Sequence, residues 1–195
     1  MHQPIRFTGG LFCITGKLKR YKSIRRLFCS AENKFRGPSN TPHAMTMRAS
    51  VLIDCPIQTA FERTNDHVTD WSSIVQEEEM LHVTPDRIGS TFRTVTTEHG
   101  REMTFDGVVT RYTPPYASGI RMDGEAFSLT ANYKFEEVPE GTRVTQTSTV
   151  TGKGFFRILI PLLGFFMRKS NCQALQKELI QLKRYCEAQA SSTAE

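Results

Sequence analysis

The chain has 195 residues, 38% of them hydrophobic, which is enough for one domain with a real core and leaves room for a short appendage. Its formal charge of +5 is unevenly shared: residues 1–43 carry nine Lys or Arg against one acid, Glu32, while the remainder carries sixteen bases against nineteen acids. The globular part is therefore mildly acidic, which removes the simplest case for nucleic-acid binding, a basic face that releases counterions.

Residues 1–46 read as a basic extension. Leu11, Ile14, Leu18, Tyr21 and Phe28 recur at three- and four-residue steps among lysines and arginines, the outline of a basic amphipathic helix. Three readings stand side by side: an extension that is disordered or not native if translation begins at Met45 or Met47, a targeting presequence, or a membrane-surface anchor. Gly37 to Pro42 follows as a linker. The domain is expected over 47–187, with 188–195 as a flexible tail.

From Ala49 the pattern alternates. Ala49, Val51 and Ile53 share one parity, which predicts a first strand; Pro56 stops it and suits the start of a helix carrying Ile57, Ala60, Phe61 and Thr64. A short turn of helix follows over 68–74 with the only tryptophan, Trp71. Strands are then predicted over 78–83, 90–97, 102–112, 117–122, 127–136 and 142–151. They are separated by Pro85-Asp86, His99-Gly100, Thr113-Pro114-Pro115, Asp123-Gly124 and Pro139-Glu140-Gly141. The last segment changes period: Cys172, Leu175, Leu179, Leu182 and Cys186 step by three and four along a helix from about 161 to 186. The apolar run 155–167 is about 13 residues, short of the roughly 20 a bilayer span needs.

One strand, two short helices, six antiparallel strands and a long helix make an order that resembles the helix-grip fold of the START-like (SRPBCC) superfamily, in its polyketide cyclase/dehydrase and lipid-transport branch. The residues that carry the likeness are Ile53-Asp54-Cys55-Pro56 with Ala60-Phe61, Asp70-Trp71, Gly89 to Arg93, Tyr112 to Pro115, Gly141 to Thr145, and Leu179 to Glu187. Cys55 departs from the usual Ala. The resemblance implies an α+β fold: a seven-stranded curved antiparallel sheet gripping the C-terminal helix around a cavity. It implies binding or transport of a small hydrophobic molecule such as a lipid, isoprenoid or polyketide, without a cofactor. A cyclase/dehydratase using the same cavity, or an interaction module with no ligand, are the alternatives.

Strand parity supplies a first list of cavity residues. Phe127, Leu129, Ala131, Tyr133 and Phe135 share a face, as do Met103, Phe105, Gly107 and Val109, then Ile120 and Met122, and Met80 with His82. On the last strand, Gln146 and Ser148 share parity with Val144 and Val150, two polar groups on an apolar face. Met80, Met103, Phe105, Met122, Tyr133, Gln146 and Ser148 are thus the expected ligand contacts, and Phe155, Phe156 and Leu159 the expected gate, suited to transient membrane contact.

Catalytic patterns are sparse. His82 is the one candidate acid/base, Glu77-Glu78-Glu79 reads as a solvated run, and His99 as an exposed turn residue. No metal-ligand spacing and no phosphate loop occurs, so neither metal nor cofactor is expected. The five cysteines, at 13, 29, 55, 172 and 186, read as free thiols of a reducing, cytoplasmic protein, an organelle or membrane periphery being the alternative if the basic segment is a leader. Cys172 and Cys186 on one helix would be about 21 Å apart, too far to bridge. Oligomeric state is left open.

Overall fold

A computed structural model describes residues 44–98 and 100–192, with side chains left out for 98, 156, 158–169 and 189–192; the basic segment 1–43 lies outside the described residues. The element order is β1 (Ala44–Ile53), α1 (Ile57–Asp66), α2 (Val68–Trp71), β2 (Val75–His82), β3 (Thr91–Glu98), β4 (Arg101–Thr113), β5 (Ala117–Asp123), β6 (Phe127–Val138), β7 (Gly141–Gly152) and α3 (Phe156–Ser192). The seven strands form one antiparallel sheet in the order β1-β7-β6-β5-β4-β3-β2, so each of β2 to β7 pairs with its neighbour in sequence while β1 closes on β7. This is the helix-grip architecture.

The predicted elements are all present, with two shifts that matter. β1 opens at Ala44, so its inward parity runs back through Met47 and Met45 into residues that composition alone groups with the basic extension. α3 runs for 37 residues, beginning at Phe156 rather than Pro161, and continues past Pro161 and Gly164. Pro161 falls in the second helical turn, where it removes one backbone hydrogen bond without ending the helix.

The corner joining β1 to α1 depends on a close backbone approach. Gly141, at φ +121°, lies where a Cβ would stand 2.3 Å from the Ile53 carbonyl oxygen, so no side chain fits. Thr142 Oγ1 donates to the Cys55 carbonyl at 2.8 Å and holds β7 against that corner. Pro56 then precedes α1, whose buried stripe is Ile57, Ala60, Phe61 and Thr64.

α3 lies mainly along β1. Its C-terminal half buries Leu179, Leu182 and Cys186 completely against Ile53, Ile57, Phe61, Phe135 and Val144. Phe61 sits edge-on to Phe135 and to Tyr112, each at 5.2 Å between ring centres. Lys183 Nζ donates to the Leu52 carbonyl at 2.6 Å, and Glu187 Oε1 accepts from the Asp54 amide at 2.9 Å, fastening the helix to the end of β1.

Cys55 and Cys186 are free, buried thiols. The Cys55 thiol beside it, and then burial, push Cys186 far up, so it stays protonated. Cys172 is disulfide-bonded, which corrects the free-thiol expectation at that position. Among the described residues no helix is long and apolar enough to cross a membrane.

Candidate functional site

The sheet curves around α3, but the two do not fill the space between them. At the end away from α1 a cavity of about 350 Å³ remains. Its floor is made of cross-strand rows that the register fixes. Ile120, Ala131, Ser148 and Met47 stand side by side on β5, β6, β7 and β1, and Met122, Leu129, Val150 and Met45 form the next row. Thr94, Thr96, Met103 and Phe105 extend the floor onto β3 and β4. The roof is α3, through Asn171, Ala174, Leu175 and Glu178. A second pocket of about 90 Å³ adjoins it, and Val68, Trp71, Glu78, Ile120 and Tyr133 line both.

Of the residues expected from parity, Met103, Phe105, Met122, Tyr133, Gln146 and Ser148 line the large cavity. Met80 lines the small pocket instead. Gly107 faces inward, but Phe92 covers it: a Cβ there would meet the Phe92 ring at 2.2 Å. Phe155, first of the expected gate residues, is 77% exposed beside the start of α3, while the side chains of Phe156 and Leu159 lie outside the described residues.

The polar spot on β7 has a definite geometry. Gln146 Nε2 donates to Ser148 Oγ at 3.1 Å, and Tyr133 is the residue directly opposite Gln146 on β6. Gln146 is 8% exposed, and its Oε1 has no hydrogen-bond partner among the described residues. A buried acceptor left unpaired costs about 1–3 kcal/mol. Thr94 and Thr96 differ, since each hydroxyl donates to a backbone carbonyl, of Glu77 at 3.1 Å and of Met103 at 3.3 Å. Burial, then the negative charges of Glu178 and Glu78, push the Tyr133 phenol up, so it is a neutral hydroxyl throughout the ordinary pH range.

One expectation on β2 is corrected. His82 lies outside the cavity: a bulge between Met80 and His82 shifts the register, so Met80 pairs with inward Phe92 whereas His82 pairs with Thr91, one residue along and on the other face. His82 is exposed and has no place in either pocket. Glu77-Glu78-Glu79 is exposed along β2, in keeping with a solvated run. Glu78 also shares Met80's face and lines both pockets, and partial desolvation there raises its carboxyl to about 6.

Glu178, the other carboxylate in the wall, is fully occupied: it accepts from Ser72 Oγ at 2.7 Å, from the Ser73 amide at 3.3 Å and from the Ser73 hydroxyl. It ties α3 to the end of α2. No group of His, Cys, Asp and Glu among the described residues is arranged to hold a metal ion.

Comparison with known proteins settles the family. Residues 44–187 match the model of the family described as polyketide cyclase / dehydrase and lipid transport. The chain belongs to that family, within the START-like (SRPBCC) superfamily.

The fold recurs in solved structures of low identity. One is TTHA0849 from Thermus thermophilus, with TM-score 0.57 and 18% identity, covering 77% of this chain and 99% of that one. A second is StfQ, a di-domain ARO/CYC from the steffimycin biosynthetic pathway, with TM-score 0.60 and 17% identity over 76% of this chain and 52% of StfQ. A third is Ara h 8.0201, with TM-score 0.54 and 12% identity over 73% of this chain and 97% of that one. No curated protein is matched by sequence.

In this family member, then, the site is an apolar chamber. Among the described residues, Gln146 Oε1 on its floor and Trp71 Nε1 in its wall lack partners, and Glu78 presents an exposed, unpaired carboxylate. Sequence reasoning missed Glu78, Glu178, Met45 and Met47. The first, third and fourth had a signal in the strand parity of Met80 and of Ala49; Glu178 had none, because its role depends on where α2 ends.

Proposed function

We propose that the protein binds, and carries, a small hydrophobic molecule in the cavity between sheet and α3. The observation that carries this reading is the cavity itself: about 350 Å³ lined by Met45, Met47, Met103, Phe105, Met122 and Leu129, with the buried and unpaired Gln146 Oε1 on its floor. A void of that size forfeits packing that the sequence could have supplied with larger side chains than Ala131, Ser148 and Ala174. A ligand restores it. Met103, Phe105, Met122 and Tyr133 hold the apolar body, Gln146 and Ser148 fix its orientation, and Met80 touches the part that reaches the smaller pocket. Entry lies beside the start of α3, where Phe155 stands out in solvent. The family's description, and the polyketide ARO/CYC neighbours, support this class of ligand.

One observation favours the catalytic alternative. Glu78 opens onto the same chamber with its carboxyl near 6, the range of a general base at neutral pH. Native mass spectrometry of the purified protein, followed by extraction, separates the readings. A bound apolar molecule recovered unchanged at one per chain supports the carrier, and a converted product supports the enzyme. Replacing both Gln146 and Ser148 with Ala is expected to lower ligand retention; unchanged retention would contradict their assigned role.

A further inference from the structure

The charges around the chamber are one-sided. Among its described lining residues the ionisable groups are Glu78, Glu178 and Tyr133, with no Lys, Arg or His. Glu178 is consumed by Ser72 and Ser73, as described above, so its charge is shared with fixed donors. Glu78, exposed along β2, has no hydrogen bond or ion pair from any described residue. Burial makes its ionised form costly, yet at neutral pH most of it is ionised. The second unsatisfied atom on the floor, Gln146 Oε1, is also an acceptor.

The smaller pocket is different. Arg87 and Arg111 line it; Arg87 is engaged with Asp66 at 2.8 Å and lies over the Tyr112 ring. Trp71 Nε1 and Ser118 Oγ, both unpaired, stand in its wall and suit an oxygen atom of a ligand or a water. Trp71 lines the chamber as well, so its Nε1–H is a donor next to both pockets. Among the described residues, the charged group left without a partner in the chamber is the Glu78 carboxylate alone.

Resting on the carrier reading above, we infer that the ligand is an organic cation: an apolar body bearing a protonated amine, whose nitrogen lies against the Glu78 carboxylate while a second N–H or O–H of the body donates to Gln146 Oε1. A carboxylate or phosphate ligand would add a like charge beside Glu78 and Glu178 with no cation in the chamber to receive it. A neutral ligand would displace water from the chamber side of Glu78 and give its carboxylate no partner in return. An ammonium meets the charge, supplies donors, and finds the faces of Trp71 and Tyr133 in the same wall. Protonation of Glu78 removes its charge, so the preference for a cation is present above about pH 6 and fades as the pH falls through that value; Tyr133 stays neutral and Glu178 stays paired with its serines over the same range.

The test uses the full chain and three probes with one apolar body: decylamine, decanol and decanoate, titrated by calorimetry and by the fluorescence of Trp71, the single tryptophan. Near neutral pH the amine is expected to bind about tenfold or more tighter than either other probe. That margin is expected to vanish in Glu78→Gln, to survive largely in Glu78→Asp, and to shrink below about pH 5. Equal binding of all three probes to the unaltered protein would overturn the cation and leave the carrier standing. Preference for decanoate would overturn it too. Failure of every probe, together with an empty protein in the mass spectrometer, would overturn the carrier itself.

Discussion

One sheet and one helix enclose two interiors of opposite kind. Toward α1 the space is solid: Ile53, Ile57, Phe61, Phe135, Val144, Leu179, Leu182 and Cys186 are each no more than 2% exposed. Toward the start of α3 the same strands face a chamber. The difference lies in what is inserted between sheet and helix. At the solid end α1 pushes Phe61 into the gap, and rings from β4 and β6 close on it. At the hollow end no described side chain is inserted, and the facing residues Ala131, Ser148 and Ala174 are small. Packing at one end positions the grip, and its absence at the other leaves room for a ligand.

The comparison breaks most readily at Phe61. Phe61→Ala is expected to lower unfolding free energy by about 3–5 kcal/mol in a denaturant titration, because neighbours on three elements lose contacts at once. If it costs no more than a substitution at the chamber wall, the solid end is not what holds the grip.

Filling the hollow end should do the reverse. Ala131→Phe is expected to abolish ligand retention in native mass spectrometry while changing stability by no more than about 1–2 kcal/mol, since the new ring enters existing space. A large loss of stability would mean that the chamber collapses in solution. Gln146→Leu removes the unpaired Oε1 and is expected to raise the stability of the empty protein by about 1 kcal/mol while weakening ligand retention. Loss of stability on that change would mean that water or a protein group already satisfies the amide.

The smallest effect is in pH dependence. With its folded carboxyl near 6 and an ordinary value of 4.5, Glu78 holds more proton folded than unfolded between those values. Its contribution to stability is therefore present at low pH, declines as the pH rises through about 4.5 to 6, and stays lost above. Glu78→Gln is expected to flatten that slope and to leave the empty protein slightly more stable at neutral pH. An unchanged slope would show that Glu78 is freely solvated.

Nearly all of the fold could be read from local signals. Period-two alternation marked the strands, Gly and Pro punctuation the turns, and the steps from Cys172 to Cys186 the buried stripe of α3. The chamber was legible wherever alternation ran unbroken, as on β4, β5, β6 and β7. It failed where a long-range pairing decided the outcome. The β2 bulge, which turns His82 outward, is set by how β3 pairs with it, and nothing in the letters around Leu81 announces it. Met45 and Met47 continue the parity of Ala49, Val51 and Ile53, but a basic neighbourhood conceals the strand that β7 completes. Glu78 was hidden by its company: the three consecutive glutamates are exposed, as they look, and only the parity of Met80 marks the middle one as a pocket wall. The capture of Glu178 by Ser72 and Ser73 joins residues more than a hundred positions apart and has no local trace.

The most direct test of two unlike interiors is methyl NMR of the full chain during titration with decylamine and, separately, decanol. Met45, Met47, Met103 and Met122 line the chamber, whereas Leu179 and Leu182 report the solid end. The account predicts shifts at those four methionines with little change at the two leucines. Binding that moves the leucines and spares the methionines would contradict it.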